Sequence, residues 1–152
     1  MNESLGQILL AEDSLNDIEL TKEALSGQNL ENEIDVVRDG QEALDYLYKA
    51  GEYAGRESGD PAVILLDLKL PRVDGLEVLR KVKGDPALRH VPVVMLTSSR
   101  EERDLVESYR LGVNAYVVKP VDFRQFVDAV RETGVFWAVL NRVPRRAPRG
   151  DA

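Results

Sequence analysis

A doubly wound α/β fold of the (βα)5 type is predicted for this chain of 152 residues by three observations: short apolar runs, helical periodicity between them, and a length suited to one domain. Four runs are almost wholly apolar: Ile8 to Ala11, Val63 to Leu66, Val93 to Leu96 and Ala115 to Val118. Each is too short for a helix, and each suits a parallel strand buried on both faces. A fifth run, Ile34 to Val37, is interrupted by Asp35, as an edge strand would be.

The first strand leads into a stretch with Ile18, Thr21 and Leu25 at helical spacing, closed by Gly27. Ala43 and Leu47 mark the second helix. The polar segment from Gly51 to Pro61 that follows is expected to be a mobile loop. Leu76, Leu79 and Val82 mark the third helix, ended by Gly84-Asp85-Pro86. Leu105, Val106 and Tyr109 mark the fourth, ended by Gly112. Phe123, Phe126, Val127, Val130 and Trp137 mark a long fifth helix. Strand then helix, five times over with right-handed crossovers, gives one parallel sheet covered on both faces.

Composition narrows the function. With 20 Lys and Arg against 27 Asp and Glu, the formal charge is −7 and the pI near 4.8, which argues against nucleic acid or an anionic membrane as partner. Residues 142–152 hold four Arg and one Asp, so the body before them carries 16 basic and 26 acidic residues, a net −10. That Pro- and Arg-rich end reads as a disordered basic tail, and residues 1–141 as the folded domain. There is no cysteine, which excludes disulfides and thiolate chemistry. The N-terminus lacks the apolar length of a signal peptide or membrane span, so a cytoplasmic location is expected.

Ligands of open parallel sheets gather beyond the carboxyl ends of the strands. Here those ends carry Glu12-Asp13, Asp67, Thr97-Ser98 and Lys119-Pro120. Converging carboxylates repel unless one protonates or a cation intervenes. Mg2+ needs only one or two carboxylates with water and phosphate oxygens, so Glu12, Asp13 and Asp67 suffice for it. A strand-end Asp beside such an ion is suited to accept a phosphoryl group, with Lys119 and the Thr97 hydroxyl on the remaining oxygens. Taken singly, Asp67 reads as a loop solvator, Glu12-Asp13 as a turn that caps the first helix with Ser14, Lys119 as a surface lysine and Thr97 as a strand residue. Their joint placement at equivalent strand ends favours chemistry.

The acidic pair in LLAEDS, the acceptor in ILLDLKLPRVDG, the hydroxyl in VVMLTSS and the lysine in AYVVKP stand in the order and spacing of a known family. The chain resembles the receiver domain of two-component response regulators, from about Gln7 to Leu140. The resemblance implies a flavodoxin-like sheet with strand order 2-1-3-4-5. It implies that a sensor histidine kinase phosphorylates Asp67, with Mg2+ held by Glu12, Asp13, Asp67 and the Lys69 backbone carbonyl. It further implies that Thr97 and Lys119 engage the phosphoryl group, that Tyr116 turns inward as Thr97 moves, and that the bond before Pro120 is cis. From the residues alone, Tyr116 reads as a gap filler.

Self-catalysed phosphoryl transfer and dephosphorylation are the only enzymatic activities so implied. Lys69 and Ser99 sit where the family varies and where side chains tune water access. No output domain follows in this sequence, so output is expected through protein contact, as a homodimer using helix 4, strand 5 and helix 5. Phosphate passage to a histidine phosphotransfer protein is the alternative. The long loop after YLYKAGEY and the segment GVFWAVLNRVP resemble single-domain receivers paired with bacterial phytochromes, which makes a phytochrome the expected kinase.

A haloacid dehalogenase-type phosphatase would need a second Asp where Lys69 stands. A flavodoxin would need a neutral phosphate loop where AEDSLND stands, and no P-loop is present. His90, the only histidine, reads as structural or solvent-exposed, and Trp137 as packing.

Overall fold

Parallel pairing joins all five strands in the order β2-β1-β3-β4-β5. They are β1 (Ile8–Ala11), β2 (Ile34–Val37), β3 (Val63–Asp67), β4 (Val93–Thr97) and β5 (Ala115–Val118), alternating with α1 (Leu15–Ser26), α2 (Gly40–Tyr48), α3 (Gly75–Gly84), α4 (Glu102–Arg110) and α5 (Phe123–Thr133). The structure is a computed structural model, and it describes residues 7–26, 33–57, 59–98 and 102–133. Ser99, Trp137, the expected domain end at 141 and the basic tail lie outside these residues.

β1, β3 and β4 are buried along their whole length, which is why they read as unbroken apolar runs. The pleat deals their side chains into two cores. Leu9, Ile64, Leu66 and Met95 pack under α2 and α3, whereas Ile8, Leu10, Leu65 and Leu96 pack under α1 and α5. β2 is an edge strand, and its Asp35 carboxylate accepts a hydrogen bond from the buried Tyr46 hydroxyl at 2.6 Å.

Two expectations are corrected. The polar loop after α2 is tied down by a single 3-10 turn, Gly51–Tyr53, and by Arg56. The Arg56 guanidinium lies 4.0 Å from the Tyr46 ring centroid and donates to the Tyr46 carbonyl at 3.0 and 2.7 Å, while the Tyr53 hydroxyl donates to Glu42 at 2.6 Å. A loop rich in polar residues looks mobile in a sequence because such partners are remote from it.

In α4, Val106 and Tyr109 are about half exposed, Leu105 is partly buried, and the helix buries Ser108 instead. The apolar cover comes from Leu111 and Val113 in the turn after the helix, which leaves Val106 and Tyr109 facing solvent.

The β3–α3 connection is fixed by two glycines. A Cβ on Gly75 would lie 2.2 Å from the Asp67 carbonyl oxygen, and one on Gly40 would lie 1.8 Å from that of Val73. The Gly75 amide donates to the Leu68 carbonyl at 3.0 Å, and the Gly40 amide to that of Pro71 at 3.1 Å. The loop after Asp67 is thus clamped against both helices of its layer.

Gly75→Ala should therefore lower stability by about 2–3 kcal/mol, a fall of roughly 5–10 °C in Tm. Gly84→Ala, at a helical site with nothing within 4 Å, should leave Tm level or raise it slightly. Thermal unfolding followed by circular dichroism checks the pair, and equal losses in both variants would show that the clamp is unimportant.

Candidate functional site

Register brings the site together. Ala11 pairs with Leu66 and Asp67 with Leu96, so Glu12 and Asp67 leave the sheet side by side. Thr97 pairs with Val118, which places Lys119 one residue beyond the end of β5. Alternation continues across this rim: Glu12, Asp67 and Lys119 follow the parity of the core under α1 and α5, while Thr97 and Tyr116 follow that of the opposite face.

The Lys119 ammonium lies 3.0 Å from Glu12 Oε1, 3.1 Å from Asp67 Oδ1 and 2.8 Å from Asp17 Oδ2. Glu12 and Asp67 are buried, and carboxylate oxygens of Glu12, Asp13 and Asp67 all lie within 4.8 Å of one another. Asp13 is exposed, and its backbone carbonyl accepts from the Arg38 guanidinium at 2.9 Å. Thr97 is buried at the end of β4, and Tyr116 is half-buried against the core of that face. Lys69 is exposed in the clamped loop, and the Lys119–Pro120 bond is cis.

Asp17 did not stand out in the sequence. Its signal is local: Ser14 Oγ accepts from the Asp17 amide at 3.2 Å, so the cap that starts α1 turns the acid of the first turn towards the strand ends. The Ser14 amide donates to Glu12 Oε2 at 3.2 Å. Glu12 is thus bound both to the helix cap and to Lys119.

Burial pushes the Asp67 carboxyl up to about 6, helped by the neighbouring Glu12 charge and opposed by Lys119. Burial likewise raises Glu12, again against the pull of Lys119. Burial alone would lower Lys119, but hydrogen bonds to Asp17 and Glu12 and the charge of Asp67 hold its ammonium above the usual lysine range. One ammonium among four acids leaves the site with excess negative charge. Hard oxygen donors so arranged fit a divalent cation.

Comparison with known proteins agrees with this geometry. The model of the response regulator receiver domain matches residues 8–131. The chain belongs to the receiver-domain family of two-component response regulators. It is 42% identical over 137 residues to response regulator Rcp1 of Synechocystis, covering 90% of this chain and 92% of that protein. It resembles the structure of the bacteriophytochrome response regulator AtBRR with a TM-score of 0.84 and 64% identity, covering 93% of this chain and all of that one. The Mn2+-bound form of Rcp1 matches with a TM-score of 0.71 and 39% identity over 87% of this chain and 92% of that one. Receiver domains bind Mg2+ or Mn2+ at an acidic pocket, and the cluster of Glu12, Asp13 and Asp67 is consistent with that.

The raised carboxyl of Asp67 has a sign that can be checked. Between its ordinary range and about pH 6 the folded state keeps a proton that the unfolded chain has released, so stability falls as pH rises through that window. Above it the cost is fully present. In Mg2+-free buffer at pH 7.5, Asp67→Asn should raise Tm by roughly 3–8 °C. The gain should vanish near pH 4 and narrow on adding Mg2+. A Tm difference independent of pH would contradict the burial of the charge.

Proposed function

We propose that Asp67 is the phosphoryl acceptor of this receiver, carried by one observation: a buried strand-end carboxylate touching an ammonium and adjoining two further acids. An Asp67 carboxylate oxygen attacks the phosphorus of a phosphohistidine. The new P–O bond forms as the P–N bond breaks, and the departing imidazole nitrogen keeps the electron pair and takes up a proton. Glu12, Asp13, Asp67 and the Lys69 carbonyl would hold Mg2+, which when bound neutralises charge on the transferring phosphoryl oxygens.

Lys119 exchanges its contact with Asp67 for one with the phosphoryl group, and the Thr97 hydroxyl donates from the other face. The acyl phosphate carries about one and a half to two negative charges where the carboxylate carried one, and it adds phosphoryl oxygens as acceptors. Drawing Thr97 inward opens space that Tyr116, on the same face and one strand away, can fill. Residues 1–141 act as the receiver, with 142–152 as its tail.

Similarity to AtBRR supports a phytochrome-type sensor histidine kinase as phosphodonor. The face of α4, β5 and α5 suits a homodimer, since Val106 and Tyr109 present apolar surface there. Among the described residues no helix is long and apolar enough to cross a membrane, and a cytoplasmic location fits the family. The chain acts as a phosphorylated switch; its own chemistry is confined to gaining and losing the phosphoryl group.

Incubation with Mg2+ and acetyl phosphate should label the wild-type chain with a hydroxylamine-sensitive phosphoryl group and leave Asp67→Asn unlabelled. Beryllofluoride with Mg2+ should shift the wild type towards dimer in light scattering. Label retained by Asp67→Asn would overturn the assignment.

A further inference from the structure

Asp17 lies at the shortest distance from Lys119 of the three acids that contact it, at 2.8 Å against 3.0 and 3.1 Å. It differs from the other two in a second respect. Glu12 and Asp67 belong with Asp13 to the group of carboxylates that can share one cation, and Asp17 does not. A cation held by that group draws on the Glu12 and Asp67 carboxylates that Lys119 contacts in its absence. Asp17 alone is then free to keep its hold on the ammonium.

Such a hold matters because lysine is a point charge on a flexible stem, with no planar fork to fix its direction. Asp17 is itself well placed to supply it. The Glu12 carboxylate accepts from the Ser14 amide, Ser14 Oγ accepts from the Asp17 amide, Asp17 accepts from Lys119, and Lys119 donates back to Glu12. This ring of hydrogen bonds ties the ammonium to the first turn of α1. An acid this near the acceptor repels an incoming phosphoryl group unless a cation offsets it, and Asp17 is offset by the Lys119 ammonium that it contacts.

We infer that Asp17 is a positioning residue for phosphoryl transfer, holding the Lys119 ammonium towards the transferred group while the cation occupies Glu12, Asp13 and Asp67. The inference rests on the assignment of Asp67 as acceptor and Lys119 as its phosphoryl contact. A plain structural alternative exists, since an acid in the first turn also stabilises a helix through its dipole. That role would move Tm and leave phosphoryl affinity alone, or move all properties together.

The test compares the full-length wild type with Asp17→Ala and Asp17→Asn in four measurements: Tm, Mg2+ affinity, beryllofluoride affinity with Mg2+ saturating, and phosphorylation rate against acetyl phosphate concentration. Asp17→Ala should weaken beryllofluoride binding and lower the maximal phosphorylation rate by roughly tenfold, the worth of a charge-assisted hydrogen bond. Its Mg2+ affinity should stay within about threefold of wild type, as expected for loss of a screened charge outside the cation's ligands. Asp17→Asn, whose amide oxygen still accepts from the ammonium, should recover most of both losses.

Wild-type rate and beryllofluoride affinity in Asp17→Ala, or a gain in either, would overturn the inference while leaving Asp67 as acceptor. A fall in Tm and Mg2+ affinity parallel to the phosphoryl losses would overturn it in favour of the structural role. A wild type that neither takes label nor binds beryllofluoride would remove the acceptor assignment and the inference with it.

Discussion

An ammonium ringed by carboxylates at the edge of an apolar sheet is the constraint on which the rest of this molecule depends. Lys119 bridges Glu12, Asp17 and Asp67, two of which are buried. Removing these acids from water is costly, and one lysine offsets only part of that cost. The remainder appears as the raised carboxyl of Asp67. The resting site is therefore poised: it gains from any cation that reaches the acids and rearranges when the lysine's partner changes.

The fold supplies what this poise requires. Parallel strands in register deliver Glu12, Asp67, Thr97 and Lys119 to one rim, and the pleat sorts the first, second and fourth of these from the third. Gly40 and Gly75 allow the loop after Asp67 to lie against backbone that any side chain would displace. Thr97 and Tyr116 share the face opposite the lysine, so a pull on one can be felt by the other through β4 and β5. In the switch proposed above, this face would link charge at the rim to α4, where Val106 and Tyr109 are exposed.

Much of this was legible in the residues. Unbroken apolar runs marked β1, β3 and β4 because both faces of those strands are covered, and Asp35 marked β2 because an edge can solvate an acid. Strand-end positions alone nominated Glu12, Asp13, Asp67, Thr97 and Lys119, since a parallel sheet gathers its carboxyl ends. What escaped the sequence depends on contacts between distant segments. Asp17 looked like an ordinary first-turn acid because its partner is 102 positions away. The loop after α2 looked free because Arg56 finds Tyr46 only after folding. The seat of α4 was misjudged because Leu111 and Val113, beyond the helix, do the covering that Val106 and Tyr109 were expected to do.

If Lys119 is the resting counter-ion of the site, it competes with a divalent cation for the same carboxylates. The most direct measurement is Mg2+ affinity by isothermal titration calorimetry, wild type against Lys119→Met at one ionic strength. Mg2+ binding tighter by roughly tenfold in Lys119→Met is expected, since the competing charge is gone while the acids remain. Unchanged or weaker binding would mean that the ammonium does not balance these carboxylates and would contradict the central role given to it.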